Sequence, residues 1–219
     1  ISLAALVTGL TTAHAEMATV RIGQVPTKRP SAAVKTVRAK PPTGYAVATD
    51  KAPTIDGKLD DKVWAKAQTL RLTKTLQGGG NVAQPTEVMV LRDADKLYVA
   101  FKATEPLTNR LVAKKRGHDG DVWADDALEV FLSPGDGYYH YIINPVGSTY
   151  DARGKGTGWN SNFSAAAVVG EGQWTAEMAI PFKPMAGAEA PKQWTANFNR
   201  SRRAAGGLLI GVETKAPCS

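Results

Sequence analysis

Cysteine is almost absent: the chain of 219 residues has one, Cys218. A single thiol can form neither an internal disulfide nor a thiolate metal cluster. Histidine is nearly as scarce, with three residues (His14, His118 and His140), and there is no Gly-x-Ser-x-Gly elbow. A Ser-His-Asp hydrolase therefore has little to be built from. No run approaches the ~20 apolar residues that span a bilayer. No repeat of fixed period is visible, and no stretch has the Asp-x-Asp-x-Asp-Gly spacing with a distant Glu of a calcium loop. What remains is an ordinary globular composition, 43% hydrophobic and 21% charged, long enough for one sizeable core.

The front of the chain differs from the rest. Its first ten residues are apolar and uncharged, and Ala13-His14-Ala15 makes the small-x-small pattern that signal peptidase cuts. Residues 1–15 read as a signal peptide whose basic start is missing, so a secreted or periplasmic location is expected. The net charge is +7, yet Arg21, Lys28, Arg29, Lys35, Arg38 and Lys40 stand against the single acid Glu16 before Gly44, which accounts for five of the seven charges. A basic, Pro-containing stretch with few large apolar residues cannot offset its ordering entropy. Residues 16–44 are expected to be a linker, and nucleic acid is not an expected partner.

From Tyr45 onward, short runs rich in β-branched and aromatic residues alternate with Gly, Pro, Asp and Asn. This is the punctuation of an all-β fold. Strands are expected at 86–92, 96–103, 127–132, 138–144, 148–153, 162–169, 173–180 and 194–202. The links between them, such as Pro134-Gly135-Asp136-Gly137 and Gly170-Glu171-Gly172, are too short for crossover helices, so pairing is antiparallel. One short helix near the N-terminal end, Asp60 to Ala67 with Asp60 as N-cap, would set Trp64 as a plug. The expected architecture is an antiparallel two-sheet β-sandwich over residues 45–219.

The segment Asp121-Val122-Trp123-Ala124-Asp125-Asp126-Ala127-Leu128-Glu129 carries the chemistry. Leu128, Val130 and Leu132 share one strand face, which leaves Glu129 on the other. A sugar ring would use both residues: its C–H face stacks on an aromatic ring while paired hydroxyls bond a carboxylate. Asn144, near the end of a neighbouring strand, could add an amide. Taken alone, the residues favour the plainer reading, Trp123 as a partly buried edge aromatic and Glu129 as a solvated strand face.

The run Thr54-Ile55-Asp56-Gly57-Lys58-Leu59-Asp60 leading to Trp64 is followed by Trp123 with Asp126 and Glu129, then by Asn144. After these come the strand from Trp174 to Phe182, then Trp194, Asn197 and Arg200. Together they resemble the family 9 carbohydrate-binding modules, DOMON-like β-sandwiches, from about Tyr45 to the C-terminus. The resemblance implies non-catalytic binding of terminal sugars of plant-type polysaccharides or oligosaccharides between two tryptophans, with structural calcium, as an accessory to a glycoside hydrolase. On it, Trp123 matches the first stacking ring, Glu129 the carboxylate and Asn144 the amide. Two positions depart: Ile142 stands where the family has Arg, and the second Trp is missing ahead of a final strand, so the chain reads as truncated at its C-terminus. Trp159 is the best remaining candidate for the second wall, and Arg200 could reach either the site or an internal carboxylate.

Rival chemistries have weaker support. Glu129 and Glu177 could be nominated as a glycosidase pair, but Glu177 sits in the family's structural strand. His118, His140, Met89 and Met178 would be the ligands of a haem-binding, electron-transferring relative. Asp93, Asp95, Asp119, Asp121, Asp125, Asp126 and Asp136 fall in turns, where aspartate commonly caps backbone amides, so none is assigned to a metal. A structural envelope domain that has lost its ligand is the last alternative.

Overall fold

The computed structural model describes residues 44–75, 81–135, 137–156, 158–186, 193–204 and 208–216. The expected signal peptide, the linker up to its last residue and Asp136 lie outside them. Eleven strands follow in chain order: β1 (Val47–Ala48), β2 (Gln68–Thr75), β3 (Asn81–Arg92), β4 (Lys96–Thr104), β5 (Ala127–Ser133), β6 (Tyr139–Ile143), β7 (Thr149–Arg153), β8 (Ser164–Gly170), β9 (Gln173–Pro181), β10 (Trp194–Arg202) and β11 (Leu208–Ala216). Among the described residues these strands pair antiparallel, apart from a two-residue parallel pairing of β1 with β3.

The hydrogen-bonded order is β7-β6-β5-β10-β11-β2-β3-β4-β9-β8. One layer holds β7, β6, β5, β10 and β11; the other holds β2, β3, β4, β9 and β8. The fold is an antiparallel two-sheet β-sandwich. Alternating residues of both layers meet in the core, among them Val88, Val99, Phe101, Trp174 and Met178 against Leu128, Val130, Tyr141 and Phe198. The rings of Phe101 and Phe198 meet edge-on at 6.1 Å across the gap.

Each layer also buries apolar residues on its outer face. Over β3, β4 and β9 lies Trp64 with Val63, Leu91, Tyr98 and Ala100. The helix expected at Asp60 is a 3-10 turn, Lys62–Lys66, capped by Asp61 without a side-chain bond to its own helix. Asp61 Oδ2 accepts instead from Thr54 N at 2.6 Å. Glu177, on the outward face of β9, accepts from Gly57 N at 2.7 Å, Asp56 N at 3.0 Å and the Trp64 ring N–H at 2.7 Å. Burial pushes its carboxyl above the ordinary range against the pull of these donors. Gly57 is obligatory here: at φ +84° an added Cβ would stand 2.9 Å from the Ala167 backbone.

Three strands were not expected from sequence. Leu72 is the only fully buried side chain of β2, so the strand carries little hydrophobic pattern. β11 contains Gly211 within its span, and glycine weakens a strand signal. β1 has two residues. Pro85 marks where β3 departs from regular pairing: the register with β2 shifts between Leu72 and Lys74, opposite the segment containing it, as expected of a residue with no N–H to donate.

Candidate functional site

The loop ahead of β5 carries Trp123 in a 3-10 turn, Val122–Ala124. Val122 plugs into the outer face of the layer among Ala127, Ile142, Tyr150 and Ala152, and Trp123 stands on this plug, edge-on to Tyr150 at 5.1 Å. Of the five tryptophans, Trp64, Trp174 and Trp194 are buried and Trp159 is half-buried; Trp123, at 42%, alone is exposed. Two aspartates hold its loop. Asp126 accepts from the backbone N–H groups of Val112, Arg203 and Ala204, and Asp125 from that of Lys115. Burial pushes the Asp126 carboxyl upward while those amides draw it down.

Glu129 lies on the outer face of β5, as strand parity requires, with Asn199 opposite on β10 and Ile142 opposite on β6. Next along the same face are Phe131, Asn197 and His140. Glu129 Oε2 is 2.9 Å from His140 Nε2, and Oε1 accepts from Ser201 Oγ at 3.2 Å. His140 stacks on Phe131 at 3.8 Å with 15° between the rings. The family pattern's Arg position, Ile142, thus lies directly opposite Glu129, and the nitrogen that meets the carboxylate comes from His140, one place along the face. Asn197 Oδ1 and Asn199 Oδ1 are buried without a hydrogen-bond partner among the described residues. Phe131, Tyr138, Thr195 and Asn197 line a depression of about 130 Å³. That is far below the ~300 Å³ of an enclosing ligand pocket, so the surface can receive a ring against a face but cannot engulf it.

Other candidates lie elsewhere. Asn144 is fully buried beneath the Trp123 loop: Nδ2 donates to Lys115 O and Asp125 Oδ2, and Oδ1 accepts from Val146 N and Ser148 N. It holds the loop and has no surface to offer a ligand. Trp159 packs between the layers' side chains, with its ring 4.9 Å from Tyr139 and 6.2 Å from Tyr141. Arg200 points into the core because it pairs with Leu128. It donates to Glu105 Oε2 at 2.8 Å, so the internal carboxylate is its partner.

Rival sites are not assembled either. Glu129 and Glu177 occupy the outer faces of opposite layers with the core between them, so they cannot face each other across a cleft. Met178 is buried in the core, Met89 lies on the other face of its layer under Trp64, and His118 and His140 are engaged separately. Among the turn aspartates, Asp93 caps Asp95 N, Lys96 N and Tyr98 OH. Asp126 accepts backbone N–H groups at both oxygens, Asp125 Oδ2 accepts from Lys115 N and Asn144 Nδ2, and Asp121 pairs with Lys115. These carboxylates do not fit a calcium ion, which needs six to eight oxygens turned toward one point.

The family model described as carbohydrate family 9 binding domain-like matches residues 55–203. The chain belongs to this family. It is 28% identical over 147 residues, 64% of its length, to endo-1,4-beta-xylanase A of Thermotoga neapolitana, and 27% identical over 147 residues to the corresponding xylanase of Thermotoga maritima. The match spans only 13% of the length of each of these relatives. Its fold is similar to that of a candidate carbohydrate-binding protein from Bacteroides uniformis, at 15% identity and TM-score 0.64, covering 80% of this chain and 91% of that one. It is also similar to a family 9 carbohydrate-binding module from Caldicellulosiruptor kristjanssonii in complex with cellotriose, at 14% identity and TM-score 0.60, covering 81% and 94%. Of the residues named from sequence, Trp123 is exposed and Glu129 is buried on the outer face of β5 beside His140; the sequence reading did not group His140, Phe131, Asn197 and Asn199 with them. Their signal is parity: each occupies a register position beside Glu129 or one step along its face.

Proposed function

We propose that the chain is an exported, non-catalytic module that binds a terminal sugar of a plant-type polysaccharide on the outer face of β5, β6 and β10. The observation that carries this reading is Trp123, the single tryptophan left exposed, standing on the polar face that holds Glu129. The sugar's C–H face stacks on Trp123, and its hydroxyls meet the lone pairs that Glu129 keeps beside its contacts with His140 and Ser201. His140 holds Glu129 in place. The family membership and the xylanase relatives support a role beside a glycoside hydrolase, carried in the same protein or a partner. Residues 1–15, with their signal-peptide pattern, support export.

With one stacking ring on an open face, affinity falls near 10⁻³ to 10⁻⁵ M, roughly 4 to 7 kcal/mol. Titration calorimetry with xylo- and cello-oligosaccharides tests this: Trp123→Ala lowers affinity at least tenfold while leaving the unfolding midpoint close to that of the parent. Absence of heat with every oligosaccharide, or unchanged binding by Trp123→Ala, would overturn the assignment.

A further inference from the structure

A second cluster lies at the side of the sandwich away from β11. Strands β7 and β8 end the hydrogen-bonded order, and residues 154–163 connect them from one layer to the other. His118 is clipped to the edge of β7 by a parallel bridge to Thr149: Thr149 N donates to Gly117 O at 3.1 Å, and Asp119 N donates to Thr149 O at 2.9 Å. Its side chain reaches the connection. Nδ1 is 3.0 Å from Thr149 Oγ1; Nε2 is 2.5 Å from Asn160 Oδ1, 3.1 Å from Asp151 Oδ1 and 3.3 Å from Asp119 Oδ1.

One ring nitrogen with at most one proton thus faces three oxygens, of which it can satisfy one. Asp151 sharpens the problem. Its side chain is completely buried, Oδ2 accepts from Ser161 N at 2.6 Å, and Oδ1 is turned toward His118 Nε2 without making a hydrogen bond. A buried carboxylate oxygen without a partner costs more than a well-packed apolar group would. A cation at the centre would resolve both conflicts.

We infer that His118, Asp119, Asp151 and Asn160 form a binding site for a divalent metal ion of the zinc class. An imidazole nitrogen together with carboxylate oxygens is the donor set such ions take. Ligands of a tetrahedral ion at 2.0–2.2 Å lie about 3.3–3.5 Å apart, close to the 3.1 and 3.3 Å separations found. The ligand atoms of His118, Asp119 and Asp151 all lie within 4.8 Å of one another, and Asn160 Oδ1, at 2.5 Å from His118 Nε2, draws back by about an ångström to join the same shell. Calcium would want more oxygens and longer bonds. The ion staples the Gly117–Asp121 loop to β7 and to the connection into β8, on the side where, among the described residues, no strand joins the layers. The stapled loop runs into the Val122–Ala124 turn that carries Trp123; zinc binding is read without sugar and sugar binding without zinc, so the failure of one is distinguishable from the failure of the other.

The test uses the full chain, stripped with a chelator and titrated with zinc chloride by calorimetry, with thermal unfolding in parallel. One equivalent binds, the melting temperature rises by about 5 °C at a large excess over Kd, and His118→Ala and Asp151→Asn each weaken binding more than tenfold. Should buried Asp151 prove necessary for folding, half-exposed His118 decides the matter alone. No zinc binding at 100 µM free metal, zinc binding indifferent to His118→Ala, or calcium binding in its place would each overturn the inference.

Discussion

Asn144 and Glu129 are both polar, both on or beside neighbouring strands, and they serve opposite ends. Asn144 directs its amide nitrogen to Lys115 O and Asp125, and its oxygen to two backbone N–H groups. Asn144→Ala would strand these partners in a buried place, and we expect a loss of about 3 kcal/mol in denaturant unfolding, since each unsatisfied buried group costs ~1–3 kcal/mol. A loss below 0.5 kcal/mol would show that water reaches the loop. Glu129 has one partner at each oxygen and keeps lone pairs for a ligand. Strand parity made Glu129 legible in sequence, because period two fixes the face once Leu128, Val130 and Leu132 are seen to be apolar. It could not serve for Asn144. That residue follows the last position of β6, where alternation lapses, and the partners of its amide nitrogen, Lys115 and Asp125, come from a loop distant in sequence.

At the level of strands, the end of β10 meets the end of β4 through charges inside the core. Arg202 grips Glu105 with two bonds, Nε to Oε2 at 2.6 Å and Nη2 to Oε1 at 2.7 Å, and Arg200 adds a third. Burial alone would raise the Glu105 carboxyl, but the Arg202 bonds, the Leu107 N–H and the Arg200 charge outweigh it and hold it below the ordinary carboxylate range. Burial in turn draws the Arg200 guanidinium down to about 10. A depressed carboxylate contributes stability that is present above its unfolded value near 4.5 and lost as pH falls through the folded value. Glu105→Gln should therefore cost about 3–5 kcal/mol at pH 7 by leaving two guanidiniums uncompensated, and the gap from the parent should narrow as pH falls below 4.5. Unfolding midpoints between pH 7 and 3 measure this, and a gap constant with pH would refute it. Arg200 faces the core by the same parity that placed Glu129 outside, but Glu105 lies beyond the last residue of β4, so only the three-dimensional trace joins them.

For the molecule as a whole, the two layers were readable from alternation and turn residues, whereas the seam between them was not. Among the described residues β11 meets β2 only at Ile210 with Thr75 and Gly211 with Lys74, while β4 and β9 pair without a break from Lys96 with Pro181 to Thr104 with Gln173. Amide hydrogen exchange should thus be at least about tenfold faster in β2 residues 74–75 than in the centre of β4, because sparsely paired edges open without global unfolding. Equal protection in both would mean that the seam opens only with the rest. The seam also sets an order in time. A ribosome delivers β2 early and β11 after every other described strand, so through most of synthesis the outer edge of β2 has nothing to bond, and the layers have no covalent neighbour strand to join them. An uncovered edge is a template for other chains. How soon β11 emerges after the other described strands, and how promptly it lies down beside Thr75, then governs how much of this protein reaches its sandwich and how much is lost to partners met on the way.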